Sequence, residues 1–453
     1  MKNTALHYPM KQKHKILSTH VGSEQFKKML QLLRFVWFSR QSDFYQKFWA
    51  QNKFNPIQSI KRPEDISKIP LLTRNRLIDV MPENRLFVPL KDVDYIRATN
   101  TVASGFLTMY STLYHADAKR DRSIFTVFPR TVKKIFYLRR TESCPPMYIG
   151  ARLAGRLAIF GNQSDLDWSA HLFHDVNPDA MVMDLPHVFE FAAFIKRYYE
   201  IKKIRFIQLY GRTATHLETK KLRQLYKKAN IIFTYGSNIS GGTIALQCLY
   251  LAKKNFYTYH TLPNFIYEGI PLFWSDKPQT QELVITLLDD TPTPLIRYRT
   301  GDAVEFIQAK KCRCGRDGML LRVFGRADRN TLRLTRETII QVSEIENALR
   351  SLHIQYQNFK LRITEKLISR KPCPVLHLHL YTEKKIITVK NLEKQIPAIL
   401  LCALLYKYKT GDRAILLSEL IKRKEVGGFK IYIYTARSAD KIVKNEIIDE
   451  RIG

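Results

Sequence analysis

The stretch Pro294-Leu295-Ile296-Arg297-Tyr298-Arg299-Thr300-Gly301-Asp302 constrains this chain more than any other. Leu295 to Arg299 alternates apolar and basic residues, with Tyr298 among the apolar positions, the pattern of a half-buried strand. Thr300-Gly301 predicts a turn at its end, where glycine lets the backbone come close to a ligand. Asp302 then stands at a strand end, where a fixed carboxylate can accept two hydroxyl hydrogen bonds, as a ribose diol requires. A hairpin with a turn-capping aspartate fits the same nonapeptide, and these residues alone leave both readings open.

Two further clusters follow it: Cys312-Arg313-Cys314-Gly315-Arg316 and Gly325-Arg326-Ala327-Asp328. The chain has six cysteines, at 144, 248, 312, 314, 373 and 402. In an intracellular chain of this size close cysteine pairs point to metal or redox chemistry rather than to a disulfide framework. Cys248, expected in a helical stretch after Gly242, and His260 add a third thiol and an imidazole to the Cys312/Cys314 pair. Those four soft or borderline donors match a closed tetrahedral Zn²⁺ site. Buried core cysteines beside a turn pair are the alternative.

At 453 residues the chain is too long for one small core, so two or three domains are expected. A hydrophobic content of 45% with 25% charged residues excludes a disordered chain. The 74 Lys+Arg against 41 Asp+Glu leave a formal charge of +33, which suits an anionic partner. Nucleotide, coenzyme A, an acidic carrier protein, nucleic acid and an anionic membrane surface are all candidates. The basic residues are spread along the chain with no compact tail or nucleic-acid motif, which weighs against nucleic acid. Residues 1–20 lack the apolar core of a signal peptide, and Ile396 to Tyr406 is too short to span a bilayer. A cytoplasmic protein is the expectation.

The order of these pieces resembles the adenylate-forming enzymes of the phenylacetate–CoA ligase type, over most of the chain. Ser42-Asp43-Phe44-Tyr45 is similar to the family's Ser-Pro-Phe-Tyr, and Ile69-Pro70-Leu71-Leu72-Thr73-Arg74 to its Leu-Pro-hydrophobic-Thr-Lys segment, with Thr73 a natural N-cap. Ile231 to Asn238 resembles the strand that ends in Tyr-Gly-x-Thr-Glu, through Tyr235 and Gly236. Val342-Ser343-Glu344-Ile345-Glu346 matches the Pro-x-Glu-Ile-Glu helix start, and Arg437 to Lys444 the terminal Pro-Arg-Ser-x-Gly-Lys segment.

The resemblance implies an α/β fold: a large N-terminal adenylate-forming α/β domain over 1–325 and a small, mobile α+β domain over 326–453. Strands at 156–161, 180–183, 206–211 and 231–238 and helices at 186–198 and 218–228 belong to the first. A strand at 375–381 with His377 and His379 on one face, a helix over 392–405 and strands near Ile415 and Ile431 belong to the second. The implied chemistry joins a small carboxylic acid to a thiol through ATP, Mg²⁺ and coenzyme A. Asp302 holds the ribose, Tyr235 the adenine and Arg326 the nucleotide, Gly236 lets the backbone reach the acyl-adenylate, and Lys441 is the catalytic lysine, with Lys444 the alternative. Ser104 and Gly105 line the phosphate loop, whose first glycine, lysine and proline are here Val102, Phe106 and Leu107. The family's Gly-Glu adenine contact becomes Gly211-Arg212, and its Thr-Glu pair, which helps hold Mg²⁺, becomes Asn238-Ile239.

Overall fold

Five apolar runs build a parallel sheet in the order 157–162, 134–139, 180–184, 206–210, 230–237. Residues 135–138 and 180–183 are buried without a break, as strands covered on both faces must be. Helices Pro145–Leu153, Leu166–Val176, Leu185–Ile195 and His216–Leu225 make the crossovers. The sheet then turns antiparallel through Gly242–Leu246, Thr258–Thr261, Gly318–Arg326, Tyr298–Ala309, Thr280–Leu287 and Phe265–Pro271, with Leu17–Ser18 at the edge, twelve strands in all. This computed structural model describes residues 17–18, 21–101, 105–111, 128–139, 145–198, 201, 204–211, 214–237, 239–272, 280–289, 292–309, 311–316, 318–327, 331–335, 338–369, 371–382, 389–404, 414–435, 446–449 and 451.

A second hydrophobic core, running from Leu334 to Ile447, is separate from the first, whose last member is Val323. It lies under a sheet of Gly428–Thr435, Lys371–Thr382, Asn358–Ile368 and Glu446–Asp449, with Thr331–Arg333, Thr338–Gln341, Leu401–Leu404 and Ala414–Leu416 as another. Phe359, Leu361 and Ile363 and, one strand over, Leu376, Leu378 and Leu380 are fully buried, so the alternate residues face away from the core. The architecture is thus a large α/β domain followed by a small α+β domain. The helix expected over 392–405 is Val389–Ile399 instead, with Pro397 in its last turn, and residues 401–404 leave it to pair with Thr338 and Ile339. The hairpin of the small domain touches the large one where Thr215 Oγ1 donates to Glu365 Oε2 at 2.5 Å. Among the described residues no helix is long and apolar enough to cross a membrane.

The N-terminal segments converge on the motif around Asp302. Tyr45, fully buried on helix Phe44–Gln51, donates its hydroxyl to the Pro294 carbonyl at 2.9 Å and accepts from the Ile296 amide at 3.0 Å. Leu72 pairs with Tyr298 as a parallel bridge: its amide donates to Arg297 O and its carbonyl accepts from Arg299 N, both at 2.9 Å. Thr73 then caps helix Arg74–Ile78. Tyr45→Phe strips two buried backbone groups of their partner and is expected to destabilise the protein by about 1–3 kcal/mol. Denaturant melts check it, and an unchanged midpoint would show the motif does not depend on this helix.

Candidate functional site

The motif departs from its expected form at both ends. Its strand starts at Tyr298, not Leu295, and runs through Gly301 and Asp302 to Ala309. Residues 295–297 are all buried, and Arg297 takes a left-handed φ of 49°. Arg297 is no half-exposed strand residue: its Nε donates to Glu268 Oε2 at 2.9 Å, with both side chains 2% exposed. Its Nη1 donates to the carbonyls of Ser67, at 2.8 Å, and Ile69. The buried pair therefore ties the chain entering the site to the strand Phe265–Pro271 and to the segment before Leu72.

Gly301 sits within the strand rather than in a terminal turn, with φ at 73°. A Cβ there would lie 2.2 Å from Arg326 Nη2, so the glycine leaves the room in which that guanidinium rests. Arg326, on the neighbouring strand and in register with Asp302, donates through Nη1 to Asp302 Oδ1 at 2.9 Å and to Thr300 O at 3.0 Å. The other carboxylate oxygen, Oδ2, accepts from the Tyr235 hydroxyl at 2.5 Å. Three strands thus bring Tyr235, Asp302 and Arg326 to one point. Burial, followed by the Asp302 charge and hydrogen bond, holds the Tyr235 phenol well above its ordinary pKa, so it stays a donor. Burial also pushes Tyr298 up to about 12, with the Arg74 and Arg326 charges partly opposing it.

Gly236 follows Tyr235 at a register shift, and a Cβ on it would stand 2.1 Å from the Gly242 carbonyl oxygen. Its first requirement is therefore close approach of its own neighbouring strand. Gly105 opens the strand Gly105–Ser111, which pairs with Tyr95–Thr101 as a separate two-stranded hairpin. Ser104, Arg212, Asn238, Asp328 and Lys441 lie outside the described residues. Ile239, in the register of the expected glutamate, is a buried apolar side chain. At the carboxyl ends of the parallel strands, where ligands of open α/β sheets bind, Arg139 Nε donates to the Tyr210 hydroxyl at 2.7 Å and its guanidinium lies 4.1 Å from the ring centroid. His187 contacts Asp184 beside them. Nothing local in the sequence singles out Arg139 and Tyr210, because two strands bring them together.

Cys248, His260, Cys312 and Cys314 converge, with their ligand atoms all within 4.8 Å of one another. Cys248 does not lie in a helix after Gly242. Gly242–Leu246 is a strand, and Cys248 caps helix Leu249–Lys254. His260 comes beside it because Thr258–Thr261 pairs with that strand, His260 opposite Leu246. The separations are 3.8 Å for Cys248 Sγ to Cys312 Sγ, 3.3 Å for His260 Nε2 to Cys248 Sγ and 3.5 Å for His260 Nε2 to Cys314 Sγ. A zinc with bonds of about 2.3 Å to sulfur and about 2.0 Å to nitrogen has tetrahedral edges of about 3.8 Å and about 3.5 Å, so the cage fits. Burial, then the Arg316 charge, lowers His260 to about 4, which leaves it neutral, the form that ligates metal. Burial raises Cys248 to about 12. Burial also works upward on Cys312, but hydrogen bonds from the Cys314 amide and the neighbouring thiols, with the Lys254 charge, bring it below its usual value.

No protein-family model and no curated protein matches the chain. Solved structures do. 2-Hydroxyisobutyryl-CoA ligase, in complex with 2-HIB-AMP and CoA in the thioesterification state, superposes with a TM-score of 0.63 at 15% identity, covering 96% of this chain and 92% of that one. The same enzyme in the postadenylation state with 2-HIB-AMP gives 0.59 at 15% identity, covering 96% and 91%. The likeness is one of fold: this chain has the two-domain architecture of the AMP-forming acyl-CoA ligases.

Proposed function

We propose that this chain is an AMP-forming acid–thiol ligase of the phenylacetate–CoA ligase type. It activates a carboxylic acid as its acyl-adenylate and passes the acyl group to coenzyme A or another thiol. The observation that carries the reading is the Asp302 carboxylate, set between the Tyr235 hydroxyl and the Arg326 guanidinium. In this reading Asp302 turns its oxygens to the ribose hydroxyls of ATP, Tyr235 lies against the adenine and Arg326 reaches the nucleotide. Gly236 borders the acyl-adenylate, and Ser104 and Gly105 line what remains of the phosphate loop. An oxygen of the acid attacks the α-phosphorus, the bond to the bridging oxygen breaks, and pyrophosphate leaves. Lys441 stabilises the charge on the reacting carboxylate and phosphate. The thiolate then attacks the acyl carbon and AMP departs. The small domain, taken as 326–453, pivots at Asp328 between the two steps.

Mg²⁺ would offset charge on the β and γ phosphates, but Ile239 offers it no carboxylate where the family has one. That replacement, with Val102, Phe106 and Leu107 in the phosphate loop, favours a second reading: a homologue that binds nucleotide without turnover. Coenzyme A or an acidic carrier protein as thiol donor suits the formal +33. Cys248, His260, Cys312 and Cys314 hold one structural Zn²⁺, which pins the 311–316 loop to the strand and helix on either side of Cys248.

Exchange of radiolabelled pyrophosphate into ATP across a panel of carboxylic acids tests the reading. The native chain is expected to support exchange with at least one acid. Lys441→Ala is expected to lower it at least about 10²-fold while AMP binding is kept. AMP binding with no exchange for any acid selects the second reading.

A further inference from the structure

Beyond the ligase site, the small domain carries an aromatic ladder on the face of its sheet opposite the core. His377, His379 and Tyr381 alternate with the buried Leu376, Leu378 and Leu380. Strand Gly428–Thr435 runs parallel beside them, which sets Tyr432 opposite His379 and Tyr434 opposite Tyr381. Five rings stack in sequence. Tyr381 meets Tyr434 at 5.2 Å, Tyr434 meets His379 at 5.7 Å, His379 meets Tyr432 at 4.8 Å and Tyr432 meets His377 at 5.9 Å, all within 22° of parallel. Hydrogen bonds fix the rotamers: His379 Nδ1 with the Tyr434 hydroxyl at 3.0 Å, and His377 Nε2 with Thr364 Oγ1 at 2.8 Å. Tyr432 and Tyr434 are nonetheless 37% and 41% exposed.

Cations border this ladder. On strand Asn358–Ile368, Lys360 stands opposite His379 and Arg362 opposite His377. Lys430, on the tyrosines' own strand, stands opposite His377 at the end of the ladder. Arg362 and Lys430 are exposed. Glu446 is in register with Lys360 on the outermost strand. Ordered rings with flanking cations match single-stranded nucleic acid: bases extend or edge onto an aromatic stack while phosphates meet Lys and Arg. A duplex, with its bases already stacked, can use only the charge.

We propose that this face of the small domain binds single-stranded nucleic acid, with Tyr432, Tyr434 and the histidine ladder receiving bases and Lys360, Arg362 and Lys430 the phosphates. The full chain should bind a labelled single-stranded RNA of about 12 nucleotides in fluorescence anisotropy more tightly than the corresponding duplex. Tyr432→Ala combined with Tyr434→Ala should weaken that binding at least about tenfold, and the corresponding pair of Phe substitutions should retain it. Lys360→Gln, Arg362→Gln and Lys430→Gln should each lower the slope of log affinity against log salt by about one. The Ala pair removes stacking as well as a binding surface, so circular dichroism and melts are read beside each affinity, and the Gln variants, whose side chains lie outside the stack, should keep the native melt while losing affinity. Unchanged affinity in the double Ala variant overturns the proposal. So does a duplex or heparin bound as tightly as the single strand, or binding of coenzyme A or anionic vesicles with none of nucleic acid.

Discussion

Asp302→Ala is expected to bind AMP about 10²–10⁴-fold more weakly than the native chain in calorimetry. The carboxylate is the one group at the site with two acceptor oxygens, and a ribose diol supplies two donors. Each charge-assisted hydrogen bond is worth about 1.5–3 kcal/mol, and about 1.4 kcal/mol is a factor of ten. The loss is compounded because the same carboxylate positions its neighbours: without it the Arg326 guanidinium and the Tyr235 hydroxyl lose the partner that orients them. Asp302→Asn, which keeps the shape and one acceptor oxygen, should fall between the two. In the proposed reading Asp302, Tyr235 and Arg326 match the family's adenosine-side residues, although Arg212 replaces its adenine-contacting glutamate, and Val102, Phe106, Leu107 and Ile239 stand where the family serves the β and γ phosphates. The native chain should therefore favour AMP or an acyl-AMP analogue over ATP·Mg more than a ligase with the full phosphate loop does. Tight binding of ATP·Mg with weak AMP, or an Asp302→Ala variant with native affinity, would remove the basis of the proposed function.

What was legible in the sequence is what local pattern determines. The buried strand at 180–183 reads directly from a continuous apolar run, and the N-cap at Thr73 from its residue type; the strand expected at 206–211 runs over 206–210, with Gln208 buried in it. Partners far apart in the chain were legible only where residue type or the family resemblance grouped them, as for the four Cys/His side chains and for Tyr235, Asp302 and Arg326. Arg297 looks like the exposed half of an alternation until Glu268, on another strand, takes its charge into the core. Gly301 looks like a turn because only the neighbouring strand shows that Arg326 must pass above it. Ligand chemistry grouped Cys248 with His260, but only strand pairing shows how the two come near across twelve residues. The tyrosines at 432 and 434 join the histidines at 377 and 379 through a parallel register that crosses about fifty residues, and no local pattern announces it.

The metal prediction tests the other site where distant residues meet. The loop 311–316 is closed by the Gly315 amide donating to Cys312 O at 2.8 Å and by the Cys312 amide donating to Arg316 O at 3.1 Å. Its apolar support is a small satellite cluster of Cys248, Leu251 and Leu320, with Ile307, Cys312 and Cys314 against it. So few buried groups cannot balance the conformational entropy of ordering such a loop, whereas a four-ligand zinc can, because the metal's binding energy is folding energy. One zinc per chain is expected on elemental analysis of the purified protein. Cys312→Ser combined with Cys314→Ser leaves two ligands and should carry none. A ligand present at about a thousandfold over its Kd stabilises the native state by about 4 kcal/mol, so the double variant should melt about 4–8 °C lower. Amide exchange should rise first in the 311–316 loop and the two strands beside it. A native chain without zinc, or a double variant that keeps a full equivalent, would leave the four side chains as a partly buried Cys/His cluster that holds no metal.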